Sequence, residues 1–127
     1  MHNKSQPDGP VILVAEDDRA LSELFDSLLT DEGYRVMTAA DGVEALAIGE
    51  RSQPAVILLD LNLPRMNGPE FCRAYREGGG VAPIVLITAA DPTLVAEAMD
   101  ACVADAYIGK PFDIEAVLAT VARFVKS

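Results

Sequence analysis

Three short runs, Val11–Ala15, Ala55–Leu59 and Pro83–Ile87, are almost continuous in apolar residues and rich in Val and Ile. A strand with one wet face alternates between apolar and polar residues. A run that is apolar throughout suits a parallel strand buried on both faces. Two weaker segments, Tyr34–Thr38 and Ala106–Ile108, complete a set of five. Between the strands the apolar period lengthens. Leu21, Leu24, Phe25, Leu28 and Leu29 follow the spacing of one buried helix face, as do Val43–Leu46–Ala47 and Ile114–Val117–Leu118–Val121–Val125. Asp91–Pro92 predicts an N-cap followed by proline at the first helical position, and Asp113 is placed to cap the last helix. Gly33 stands just past the first helix, where a left-handed residue costs little. Pro54, Pro83 and Gly78–Gly80 mark the returns from helix to strand. Five β-α units in series imply an α/β fold: an open, doubly wound, five-stranded parallel sheet with helices on both faces. The expected layout is a flexible lead-in over residues 1–10 and one domain over 11–127.

Composition removes several function classes. Half of the 127 residues are apolar, enough for a core without metal or disulfide staples. The apolar runs are too short to cross a bilayer, and the polar stretch from Met1 to Pro10 lacks the apolar core of a signal peptide. Ten basic against twenty acidic side chains give a net charge of −10, which opposes binding to nucleic acid or anionic membranes. The one histidine, His2, lies in the lead-in, which argues against His-based metal sites, Ser–His catalysis and a phosphohistidine relay role. Cys72 and Cys102 form no CxxC pair and fall in helical patterns, so both are expected to be buried, reduced thiols.

In a doubly wound sheet, function collects in the crevice at the carboxyl ends of the strands. Here strand one ends in Glu16–Asp17–Asp18, strand three in Asp60 and strand four in Thr88, and strand five is followed by Lys110–Pro111. Acids beyond a strand also serve as helix caps, and Asp17 or Asp18 is placed to cap the next helix. Carboxylates gathered within about 4–5 Å repel one another, so such a cluster raises its pKa values or takes up a cation. With no His or thiolate at hand, oxygen ligands favour Mg²⁺, Mn²⁺ or Ca²⁺ over Zn²⁺, and few carboxylates with water left over is the Mg²⁺ pattern. Lys110 is the only lysine between Lys4 and Lys126. An ammonium there can meet a phosphoryl oxygen, and the Thr88 hydroxyl can donate to another.

The chain resembles the receiver domains of two-component response regulators, in their stand-alone, single-domain form. The resemblance runs from Val11 to Val125. It rests on Ile12-Leu13-Val14-Ala15-Glu16-Asp17-Asp18, the segment from Leu58 through Asp60 to Asn67-Gly68, Ile87-Thr88-Ala89, and Tyr107-Ile108-Gly109-Lys110-Pro111-Phe112. It implies a flavodoxin-like (βα)₅ domain in the cytoplasm, in which Asp60 takes a phosphoryl group from a phosphohistidine. The donor would be a histidine kinase or a histidine phosphotransfer protein. Glu16, Asp17, Asp60 and the backbone carbonyl of Asn62 would hold Mg²⁺ or Mn²⁺, Lys110 would contact the phosphoryl group, and Thr88 and Tyr107 would switch together. The Lys110–Pro111 bond matches one that is cis in the family. The signal would leave through helix four, strand five and helix five towards a protein target, with no nucleic acid bound directly and no insertion into a membrane. Such a module catalyses its own phosphorylation and dephosphorylation rather than turning over an outside substrate. Glu16 stands where the family often has Asp, and Val103–Ala106 lacks the glycine and paired acids common before the switch aromatic.

Three other functions fit less well. An aspartate-nucleophile phosphohydrolase usually has an acid two residues after the nucleophile, where this chain has Asn62. A flavodoxin-type cofactor binder needs a hydroxyl- and glycine-rich loop after strand one, where Glu16–Asp18 would repel the phosphate. A docking module that no longer depends on phosphorylation would bind its partner equally well after Asp60→Ala.

Overall fold

A computed structural model describes residues 9–89 and 91–126, so most of the expected lead-in, residues 1–8, lies outside the described residues. The strands are β1 (Val11–Ala15), β2 (Arg35–Ala39), β3 (Val56–Leu59), β4 (Ile84–Thr88) and β5 (Ala106–Gly109). Each lies within one residue of the run that predicts it. They alternate with α1 (Arg19–Asp31), α2 (Gly42–Ser52), α3 (Gly68–Glu77), α4 (Pro92–Cys102) and α5 (Ile114–Lys126).

All four strand pairings are parallel, in the order β2-β1-β3-β4-β5. The two weakest sequence signals, β2 and β5, are the edge strands. Each has a side open to solvent and needs fewer apolar residues. Every residue of β3 and β4 is buried. Side chains alternate between two cores. Leu13, Ile57, Leu59, Ile84 and Leu86 face α2, α3 and α4, where they meet Ala45, Ile48, Phe71 and Ala98. Ile12, Val14, Leu58, Val85 and Ile87 face α1 and α5, where they meet Phe25, Leu29, Val117 and Val121. Burying a side chain of this size contributes about 1.5–3 kcal/mol.

The expected helix signals are present, with corrections. Asp18, Asp41, Asn67 and Asp91 cap α1 to α4, and Asp113 accepts from the Glu115 N–H at 2.9 Å. Asn67 and Glu70 also form a reciprocal capping box. Gly33 is left-handed as expected, at φ 95°. In α2 the buried face is Gly42, Ala45, Ile48 and Gly49, while Val43 is exposed. The expected face of Val43–Leu46–Ala47 is therefore rotated. Small residues let α2 lie close to its neighbours, and close approach outweighs the burial of one valine. Leu24 and Ile114 are likewise more exposed than their spacing predicts.

The cysteines require the largest correction. Cys72 of α3 and Cys102 of α4 are fully buried, as expected, but they are joined in a disulfide and are not free thiols. Parallel packing of α3 beside α4 brings together two positions 30 residues apart.

Candidate functional site

The sheet reverses its winding direction between β1 and β3, and a crevice opens at their carboxyl ends. Backbone pairing places the polar groups there. The ladder continues one residue past β1, where the Glu16 N–H donates to the Ala39 carbonyl at 2.9 Å. It also continues past β3, where the Asp60 N–H donates to the Ala15 carbonyl at 3.0 Å. Glu16 and Asp60 thus sit side by side on adjacent strand ends, only 3% and 6% exposed. On the far side, the Lys110 N–H donates to the Thr88 carbonyl at 3.1 Å, and Lys110 joins Pro111 through a cis bond. Phe112 stacks on Phe25 at 5.2 Å and anchors the segment that carries Lys110.

The side chains converge. Lys110 Nζ donates to Glu16 Oε1 at 2.9 Å and to Asp60 Oδ2 at 3.0 Å. The Asn62 N–H donates to the other Asp60 oxygen at 3.2 Å. Asp18 is drawn away: its carboxylate caps α1 by accepting from the Leu21 N–H, while its own N–H donates to Glu16 Oε2 at 3.1 Å. Of the three acids after β1, the capping role thus falls to Asp18. Glu16, Asp17 and Asp60 each place a carboxylate oxygen within 4.8 Å of the others. Asp17 is exposed, beside an open cleft of about 460 Å³ that also reaches Glu44 and Thr38.

The electrostatics divide the two buried acids. Burial dominates at Glu16 and pushes its carboxyl above the ordinary range, against the opposing pull of Lys110. Burial acts upward on Asp60 too, but the Lys110 hydrogen bond, the Asn62 N–H and the ammonium charge together hold it below the ordinary range. Burial would lower the Lys110 ammonium, yet its hydrogen bonds to Glu16 and Asp60 raise it. Asp60 is therefore an ionised carboxylate at neutral pH. The donor set, all carboxylate oxygen with no imidazole or thiolate, suits a hard divalent cation.

The remaining predicted residues lie around this centre. Thr88 closes β4, fully buried and paired with Gly109 of β5. Tyr107 pairs with Leu86 on the edge strand and keeps 45% of its surface exposed. One contact was not foreseen: Arg65 Nε lies 3.3 Å from Asp41 Oδ2 and ties the β3–α3 loop to the start of α2. Arg65 is left-handed, at φ 67°, and nothing local in its sequence signals that pairing. A second hollow, of about 530 Å³, lies at the opposite end of the sheet, lined by Tyr75 and Gly78–Ala82. Glu50 is its one charged lining residue, so it offers no comparable chemistry.

The site and fold have close counterparts. The response regulator receiver domain family matches residues 12–122. The response regulator MprA of Mycobacterium leprae is 39% identical over 115 residues, which is 91% of this chain and 50% of that protein. The chain thus spans about half the length of the curated relatives it matches. Among solved structures, the receiver domain of the sensor histidine kinase PA1611 from Pseudomonas aeruginosa superposes with a TM-score of 0.86 at 30% identity, covering 94% of this chain and 99% of that one. That structure has a magnesium ion coordinated in its active site cleft. The chemotaxis response regulator CheY4 of Vibrio cholerae gives 0.81 at 33% identity, covering 91% and 98%. Sequence, topology and the acidic crevice agree, and the chain belongs to the receiver domains of two-component response regulators.

Proposed function

We propose that Asp60 accepts a phosphoryl group from a phosphohistidine on a histidine kinase or histidine phosphotransfer protein. The observation that carries this reading is the convergence of Glu16, Asp17, Asp60 and Lys110 at the switch point of the sheet. A carboxylate oxygen of Asp60 forms a bond to phosphorus as the phosphorus–nitrogen bond of the donor breaks. Transfer of this kind needs little covalent help beyond an aligned nucleophile and positive charge around the phosphoryl oxygens. Lys110 turns from Asp60 to one of those oxygens. The residues that would hold Mg²⁺ or Mn²⁺ are Glu16, Asp17, Asp60 and the carbonyl of Asn62. Held there, such a cation would supply positive charge against the phosphoryl oxygens.

The new group brings roughly two negative charges to the end of the sheet. Attraction to Thr88 and Lys110 then biases a two-state equilibrium in which Thr88 and Tyr107 move together. The exposed ring of Tyr107 belongs to the resting arrangement. The signal leaves through α4, β5 and α5 to a protein target, and the module works in the cytoplasm. Among the described residues no helix is long and apolar enough to cross a membrane.

Intact mass after incubation with acetyl phosphate, with and without Mg²⁺, tests the proposal. The native chain should gain one phosphoryl group only with Mg²⁺, and Asp60→Asn, whose amide is no nucleophile, should gain none. A folded native chain that binds Mg²⁺ yet gains nothing would sink the phosphoacceptor reading and favour phosphorylation-independent docking.

A further inference from the structure

The disulfide stands outside the acidic crevice and plays no part in phosphoryl chemistry. It joins Cys72, in the middle of α3, to Cys102, the last residue of α4. Three observations make this junction more than a staple. First, α4 packs chiefly on α3, so a bond between them governs where α4 sits. Second, the end of α4 is held by one side chain. Arg76 Nε donates to the Cys102 carbonyl at 3.2 Å, while Nη1 donates to the Gly80 and Ala82 carbonyls at 3.1 and 2.9 Å. Arg76 also lies one turn along α3 from Cys72. Third, the residue that caps α4 is Val103, a β-branched residue in the left-handed region at φ 48°, with 71% of its surface exposed. A β-branched residue there is a conformational outlier, so the last turn of α4 opens more easily than most.

We propose that Cys72 and Cys102 form a thiol-oxidation site whose disulfide, made by a low-molecular-weight disulfide such as glutathione disulfide, clamps the end of α4 onto α3. One protein thiolate attacks the small disulfide, forming a mixed disulfide and releasing one small thiol. The second protein thiolate then displaces the other small thiol and closes the protein bond. Two electrons pass from the protein sulfurs to the oxidant, and the two protons finish on the released thiols. Both sulfurs are fully buried when α4 is seated, so exchange proceeds only while its last turn is lifted. Once closed, the bond is shielded from reductant by the same packing. In the cytoplasm, where disulfides are rare and mostly transient or sensing, such a pair would report oxidising conditions. The regulatory consequence, unlike the clamp, rests on the receiver reading: α4 joins β4 to β5, so a clamped α4 limits the rearrangement that phosphorylation of Asp60 produces there.

The full chain is reduced with dithiothreitol, desalted and exposed to glutathione disulfide, then followed by thiol alkylation, peptide mass mapping and amide hydrogen exchange. The expected product has lost two hydrogens, resists alkylation, and yields an α3–α4 cross-linked peptide. Exchange across 99–105 should slow on the order of tenfold relative to the reduced chain. Separate glutathione adducts on each cysteine, unchanged thiols, or a crosslink with unaltered exchange would each overturn the clamp. Because the reduced wild-type chain is its own reference, the result does not depend on whether Cys72→Ala or Cys102→Ala folds. With acetyl phosphate and Mg²⁺ added, the change in α4 exchange should be smaller in the oxidised chain, and equal changes would overturn the regulatory role. If the reduced chain takes up no phosphoryl group, the receiver reading fails, while exchange without the donor still decides the clamp.

Discussion

Lys110→Met is expected to destabilise the metal-free protein by about 3 kcal/mol at pH 7. Methionine keeps most of the stem's volume and removes the one ammonium shared by Glu16 and Asp60. Removing one partner of a buried ion pair leaves an uncompensated charge, a loss of about 3–5 kcal/mol. The low end applies here because Lys110 keeps some solvent contact and Glu16 can escape by taking a proton. Three groups set the pH dependence. Asp60 sits below its ordinary 3.8, so its contribution is present above that value and lost as pH falls through the folded-state value. Lys110 sits above its ordinary 10.5, so its contribution is present below 10.5 and lost as pH rises through the folded-state value. Glu16 acts in the opposite sense to Asp60. Raised above 4.5, it favours the fold fully below that value and loses the contribution as pH rises. Lys110→Met deletes the first two contributions and deepens the third. The gap to wild type should therefore be widest around neutral pH and narrow as the acids protonate. Denaturant unfolding in a chelator across this range gives the comparison; a gap that widened towards acid would refute the assignment of charges. Mg²⁺ should raise the unfolding midpoint more in the variant than in wild type, because no ammonium competes for the same oxygens.

The parts of this molecule that were legible in the sequence are those where one residue type carries one physical demand. A strand buried on both faces must be apolar throughout, so β1, β3 and β4 announce themselves. The residue that ends such a run is polar only for a reason, so Glu16, Asp60 and Thr88 stood out against the runs before them. What was hidden depends on distance and fit. The face of α2 is illegible from hydropathy because Gly42, Ala45 and Gly49 are buried for their small size. The choice of Asp18 over Asp17 as the cap rests on a hydrogen bond to the Leu21 N–H that spacing alone does not assign. The pairing of Cys72 with Cys102 spans 30 residues and arises only when α3 and α4 lie together. The Arg65–Asp41 contact is of the same kind.

The same substitution at two glycines of α2 should have opposite effects, and the contrast isolates what holds the site's loop in place. A Cβ on Gly42 would collide with the Met66 carbonyl oxygen and lie 2.6 Å from Met66 Cβ, atoms that cannot rotate away. The Gly42 N–H already donates to the Pro64 carbonyl at 3.3 Å, and Asp41 beside it holds Arg65. In Gly42→Ala the loop from Pro64 to Met66 must retreat by about 1 Å, and overpacking of this kind costs about 3 kcal/mol. Since that loop continues from Asn62, whose N–H holds Asp60, Mg²⁺ should bind more weakly as well. At Gly49, about two turns further on, a Cβ would meet Tyr75 Cε1 at 3.4 Å and Leu13 at 3.6 Å, ordinary contact distances. Alanine there fills space and restricts the unfolded chain, so Gly49→Ala should stabilise by about 0.5–1 kcal/mol and leave Mg²⁺ affinity unchanged. Unfolding midpoints and Mg²⁺ titrations on the two variants make the test. Equal effects at both sites would mean that α2 can slide away from the β3–α3 loop. The seating of α2 against Met66 would then have no hold on the geometry around Asp60.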